Sequence, residues 1–267
     1  MNEQMANAPV YYALAQAQFN PIAAMSKYVD EVQDLLRREG YTLFETQEIP
    51  QLQLVVATEG GVPVVPNVSS LTTWRMTRPD RSAGFILNQT SVTYHTTHYQ
   101  TRREFLPAVL QGVKAVHKVV SLDHVSRLGL RYLHAVLPAD GETVDQYLAD
   151  GLRGVQIGAA QRYASSEFIC DTQTGPLLPQ GTLVARVHRL TASLGFPPDI
   201  MPSGLTLMER FTVREASSHA VIDTDHFVEG AMPLDLEKMG EQLLSLHAGI
   251  RQAFDAIVSA HAKAVWA

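Results

Sequence analysis

The sequence predicts an α+β protein with a largely antiparallel sheet, built as two strand–helix–strands–helix halves and closed by a long C-terminal helix. Three observations predict it. Stretches rich in β-branched and aromatic residues follow one another with only turns between them. Amphipathic helical stretches are few and do not alternate one-for-one with strands, a pattern that favours α+β over a parallel α/β fold. The order of elements also runs twice, through 1–122 and 123–267, so the chain reads as one compact domain, with pseudo-repeated halves as a further possibility. No repeat of residues accompanies that order.

Val10–Phe19 alternates and carries tyrosines, as a strand does. Asn20-Pro21 offers a cap and a first-turn proline for a helix whose Met25, Val29, Val32, Leu35 and Leu36 share a face, and Gly40 supplies the stop. Tyr41–Thr58 reads as extended chain, and Gly60, Gly61, Pro63 and Pro66 as an exposed loop. Thr72–Arg78 and Phe85–Tyr99 form a hairpin pair about the PDRSAG turn. Thr101 and Glu104 have capping-box spacing ahead of a helix built on Phe105, Val109, Val113, Val116 and Val120.

The second half repeats the order. His124–Leu137 is a strand, and Thr143–Arg153 a helix opened by a Thr143/Gln146 box. Arg162–Asp171, Thr182–Leu190 and Leu205–Asp223 are strands, and Pro197, Pro198 and Pro202 mark a surface loop. Leu236, Met239, Leu243, Leu246, Ile250, Phe254, Ile257, His261 and Val265 then keep steps of three and four over Asp235–Trp266. An unbroken helix of that length is a rod of roughly 45 Å. It outreaches one layer of a small sheet, so it either lies along both halves of one subunit or brings His261, Val265 and Trp266 to an interface with a partner chain, most simply a second copy.

Composition narrows the classes. With 46% hydrophobic and 18% charged residues among 267, the chain has ordinary globular content. A net charge of −6 disfavours nonspecific attraction to nucleic acid or anionic membrane. Cys170 is the sole cysteine, which rules out an internal disulfide and a thiolate zinc site, and its FIC context predicts burial. No basic, apolar leader opens the sequence and no apolar run approaches a membrane span, so a cytoplasmic protein is expected.

Several short motifs point in one direction. Asn7-Ala8-Pro9 precedes a strand ending Phe19-Asn20-Pro21, Thr97-x-Tyr99 leads into the Phe105 helix, RLGLRY spans Arg127–Tyr132, and an aspartate-bearing strand follows at Ile222-Asp223. Together these resemble a sporadically distributed prokaryotic family of unknown function with an RxGLRY motif. His134 departs from the asparagine often found there. The resemblance implies a mobile or defence-associated gene neighbourhood, antiviral defence included.

Candidate sites are few. His95 and His98 differ by an odd number, so on a strand they face opposite ways and do not chelate jointly. Arg127 and Arg131 share a face across Gly129, about 6–7 Å apart, as a carboxylate or phosphate clamp would. Ion pairing to Glu or Asp on a neighbouring strand is the other reading, and the favoured one. Arg186 and Arg210, with His188 and Arg214, are polar positions expected to extend that surface. Asp223 and Asp225, with His226 and Glu229 near, offer hard oxygen ligands, but no second acidic motif completes a two-metal site. No catalytic motif, metal centre or cofactor is implied. The first expectation is therefore a non-enzymatic interaction or scaffold subunit, self-associating and meeting another protein. An RNA- or DNA-binding arginine face and a small-molecule-binding domain are the alternatives.

Overall fold

A computed structural model describes residues 7–53, 67–155, 158, 161–200, 202, 204–213 and 215–267. The expected Gly60–Pro66 loop and Arg214 lie outside these residues. The strands are β1 (Val10–Phe19), β2 (Leu43–Gln53), β3 (Asn67–Thr77), β4 (Ala83–Leu87), β5 (Ser91–Thr96), β6 (His124–Val136), β7 (Tyr163–Gln173), β8 (Gln180–Ala192) and β9 (Ser217–Pro233). The helices are α1 (Met25–Arg38), α2 (Arg102–Val120), α3 (Val144–Tyr147), α4 (Leu236–Ile257) and α5 (Ala260–Trp266). All nine strands join one sheet in the order β2-β3-β4-β5-β1-β6-β9-β8-β7. Every pairing is antiparallel. The α+β class with a large antiparallel sheet is as the sequence predicts.

Periodicity decides what each face meets. In β5, Tyr94 points at the helices, where its ring lies 5.0 Å from Phe85 and 5.4 Å from Phe105. In β6, Leu128, Leu130 and Tyr132 belong to the same buried core, as do Met239, Leu243 and Leu246 of α4. Gly112 lets α2 lie close on the sheet, because a Cβ there would stand 2.4 Å from the Phe85 ring. Gly40 follows α1 with φ +94°, a conformation only glycine adopts without strain, and ends that helix as expected.

The opposite face is covered only in part. The connection from β8 to β9 lays Phe196, Ile200 and Phe211 over Tyr11, Tyr12 and Leu133. A register shift between Val10 and Tyr12 turns both tyrosines into that cluster.

Local differences have local causes. The C-terminal helix breaks at Val258, whose backbone is extended (φ −94°, ψ 146°), and Ser259 caps α5 by accepting from the Ala262 amide at 3.1 Å. The freed backbone bonds across to the segment after α3, from Ser259 to the Tyr147 carbonyl and from Ala149 to the Ile257 carbonyl. The single long rod is thus two helices, and α5 folds back. Phe85–Tyr99 divides at Asn88, whose Oδ1 accepts from the Thr90 and Ser91 amides at 2.8 Å each. Thr101 ends its strand-to-helix connection with extended backbone, but its side chain makes no capping bond. The Thr143/Gln146 box does form, on a helix of only four residues. The α1 helix starts at Met25 rather than at Pro21, since the Ile22 amide is taken by the Gln89 carbonyl. The strand expected from Leu205 begins at Ser217. Cys170 is exposed rather than buried, because β7 is the last strand of the sheet. No helix among the described residues is long and apolar enough to cross a membrane.

Candidate functional site

The RLGLRY strand places its arginines as the alternation predicts, and the neighbouring strand supplies their partners. Arg131 grips Asp223 with two bonds, Nε to Oδ1 at 2.8 Å and Nη2 to Oδ2 at 2.7 Å, and also meets Asp199 at 2.5 Å. Burial opposes the Arg131 charge, but Asp223 and Asp199 outweigh it and hold its pKa above the ordinary value. Arg127 lies 3.4 Å from both Asp225 and Glu229 and covers the Phe227 ring. Arg186 bonds Glu167 at 2.7 Å and stands 3.6 Å from Asp223, which is fully buried. Burial pushes the Asp225 carboxyl up, against the pull of Arg127 and Arg131.

Three of the four nominated arginines therefore meet, around five carboxylates. Carboxylates already engage all three, so they form an ion-paired strut with acidic groups in excess rather than an open clamp. Arg210 stands apart, bonding the Ala8 carbonyl at 3.0 Å and stacking on Phe211, on a 3-10 turn rather than a strand.

The remaining candidates disperse. His95 is fully buried and bonds the Tyr12 hydroxyl at 3.0 Å, and burial followed by the nearby Arg75 pulls its pKa to about 3. His98 lies beyond the end of β5 and meets Thr97 Oγ1. His226 turns to the other face from Asp223 and Asp225, toward Thr172 and the Leu246 carbonyl. No group of three or more His, Cys, Asp or Glu suited to a metal occurs among the described residues. His261 lies 3.1 Å from Glu142 and edge-on to Tyr147, and Trp266 is buried against Tyr147 and Phe254. These two expected interface residues are engaged within their own chain, and only Val265 is exposed. The break at Val258 is the physical reason.

A cleft of about 650 Å³ opens where α2 begins, beside β6 and α4. Ala8 and Pro9, Tyr99, Arg102, Arg103, Tyr132, His134, His247, Arg251 and Phe254 line it. The Tyr132 ring stands edge-on to Tyr99 at 5.1 Å, and His134 stacks on Phe254 at 4.4 Å. Tyr132 is 2% exposed, and its hydroxyl makes no well-formed hydrogen bond among the described residues. Burial and then the neighbouring Tyr99 hydroxyl hold the Tyr132 pKa well above its ordinary value, and the Tyr99 hydroxyl also lies 3.4 Å from His247 Nε2.

Burial, then Arg102 and Arg251, pulls His247 to about 4, and burial brings His134 to about 4 against the Ile222 carbonyl. Both imidazoles are thus neutral at physiological pH. Arg251 pairs with Asp255 at 3.1 Å, whereas neither Arg102 nor Arg103 has a carboxylate within 4.0 Å among the described residues. The arrangement can hold an anion at one end and a flat apolar body at the other.

Sequence reasoning missed Arg102, Arg103, His247 and Arg251, which come from separate helices. The available signal was convergence of the resemblance motifs. Ala8-Pro9, Tyr99 and Tyr132, named from three distant segments, all border this cleft. No protein-family model matches the chain, and no curated protein or solved structure matches it.

Proposed function

We propose that the protein is a non-enzymatic binding protein whose small-molecule ligand occupies the cleft at the start of α2. One observation carries this reading: Tyr132, a buried tyrosine whose hydroxyl makes no well-formed hydrogen bond among the described residues, lines a cavity of about 650 Å³ that also borders the first turn of a helix. That volume lies within the range of small-molecule sites, and buried polar groups are ordinarily satisfied. The lining offers cations and aromatic faces rather than a nucleophile beside its base. Native mass spectrometry of gently purified protein should show a bound small molecule, absent from an Ala8→Trp variant that narrows the cleft. A ligand retained by the variant, or none in either protein, overturns the reading.

A different observation favours self-association as a second reading. Tyr163, Phe168 and Ile169 are exposed large hydrophobics on the same eleven-residue strand, β7, at the edge of the sheet. Edge strands with open hydrogen-bonding groups and apolar surface invite pairing. A scaffold role with a second copy would use this edge rather than the C-terminal helix. The arginine face, offset by its carboxylates, lends no support to a nucleic-acid surface.

We also infer that 1–122 and 123–267 repeat one unit. In support, β1 and β6 open the two halves and pair at the centre, with the later strands of each half running outward on its own side.

A further inference from the structure

We propose that the cleft takes a planar aromatic molecule bearing one phosphate, of the size of a nucleoside monophosphate, with the phosphate at the first turn of α2. The proposal rests on reading the cleft as a ligand site and specifies what fills it. The anionic end follows from the helix start. In α2, 19 residues long, the Glu104 and Phe105 amides bond the Thr101 carbonyl, while the Arg102 and Arg103 amides have no backbone acceptor among the described residues. Thr101 does not cap them with its side chain. Free first-turn amides and the positive end of the helix dipole favour an anion. Arg102 and Arg103 add guanidinium donors with no carboxylate within 4.0 Å among the described residues, so the donors outnumber what a carboxylate could accept and suit a phosphate.

A second, independent feature points to a ligand at the same place. Tyr132 is 2% exposed and lines the cleft, and its hydroxyl, beside that of Tyr99, makes no well-formed hydrogen bond among the described residues. A ligand acceptor would remove that deficit. The flat end follows from Tyr99, Phe254 and the neutral His134 stacked on it, whose aromatic rings line that part of the cleft. Charge sets the number of phosphates. Glu104 and Asp255 also line the cleft, so three arginines against two carboxylates leave one net positive charge, and each phosphate beyond the first adds negative charge that nothing in the lining offsets.

Titration calorimetry on the full chain at low salt tests this with adenosine 5′-monophosphate, adenosine and inorganic phosphate. The monophosphate is expected to bind at least about tenfold tighter than either fragment. The Arg102→Gln/Arg103→Gln variant, changed only at exposed positions, should bring it within about threefold of adenosine. Tyr132→Phe should weaken the monophosphate without lowering Tm, which a purely structural tyrosine hydroxyl would not do.

Equal binding of adenosine and its monophosphate overturns the phosphate assignment and leaves the cleft reading standing. Phosphate binding as tightly as the monophosphate overturns the aromatic assignment. No binding of the monophosphate, where mass spectrometry finds another ligand that Ala8→Trp expels, overturns this inference alone. Absence of any cleft ligand overturns both.

Discussion

Arg131 shows how a side chain can be legible in place and illegible in purpose. Its spacing from Arg127 across Gly129 fixed the shared face, because alternation along a strand is dictated by backbone geometry. Its partners, Asp223 and Asp199, lie 92 and 68 residues away and could not be read from spacing. Removing Arg131 would leave the fully buried Asp223 with only Arg186, at 3.6 Å. Arg131→Ala is therefore expected to lower stability by about 3–5 kcal/mol, the usual cost of stranding a buried charge. Arg103→Ala, exposed on α2, should stay within about 0.5 kcal/mol of the parent. Urea denaturation of the two variants compares them directly, and equal midpoints would show that the Arg131 network contributes no net stability.

At the scale of elements, the C-terminal stripe gives the clearest lesson. Steps of three and four continue through Ile257, His261 and Val265, so the apolar pattern alone describes one helix. The serine at 259 was the stop-and-start signal, since a hydroxyl there can satisfy a first-turn amide of a new helix. The break lets Trp266 pack on Tyr147 and Phe254, and the Asn7 amide bonds the Trp266 carbonyl at 3.1 Å. Trp266→Ala is expected to cost about 3 kcal/mol through the cavity left against those rings. Val265→Ala, at an exposed position, should cost little. Thermal unfolding that treats both variants alike would contradict the docked arrangement of α5.

The whole molecule is a sheet with two ends, and the ends differ in kind from the centre. The central strands β1, β6 and β9 are buried along most of their length, whereas β7 keeps Phe168 and Ile169 exposed on opposite faces. Self-association through β7 predicts a dimer by light scattering at micromolar concentration. Phe168→Lys and Ile169→Lys should convert it to a folded monomer with an unchanged circular dichroism spectrum. A parent protein that is already monomeric would sink this second reading, and a dimer indifferent to both substitutions would move the contact elsewhere.

The sequence by itself determined the mixed class, the sheet-forming stretches, and the face shared by Arg127 and Arg131. Each of these is a consequence of local periodicity, which the backbone enforces within a few residues. Tertiary structure alone decided that the arginines are ion-paired, that Cys170 sits on an edge strand, and that α5 turns back on α3. It alone also brought Tyr99, Arg102, Tyr132 and His247 around one cleft. Those outcomes depend on which distant strand or helix arrives alongside, and strand order is set by burial and pairing across the whole sheet rather than by any neighbouring residue.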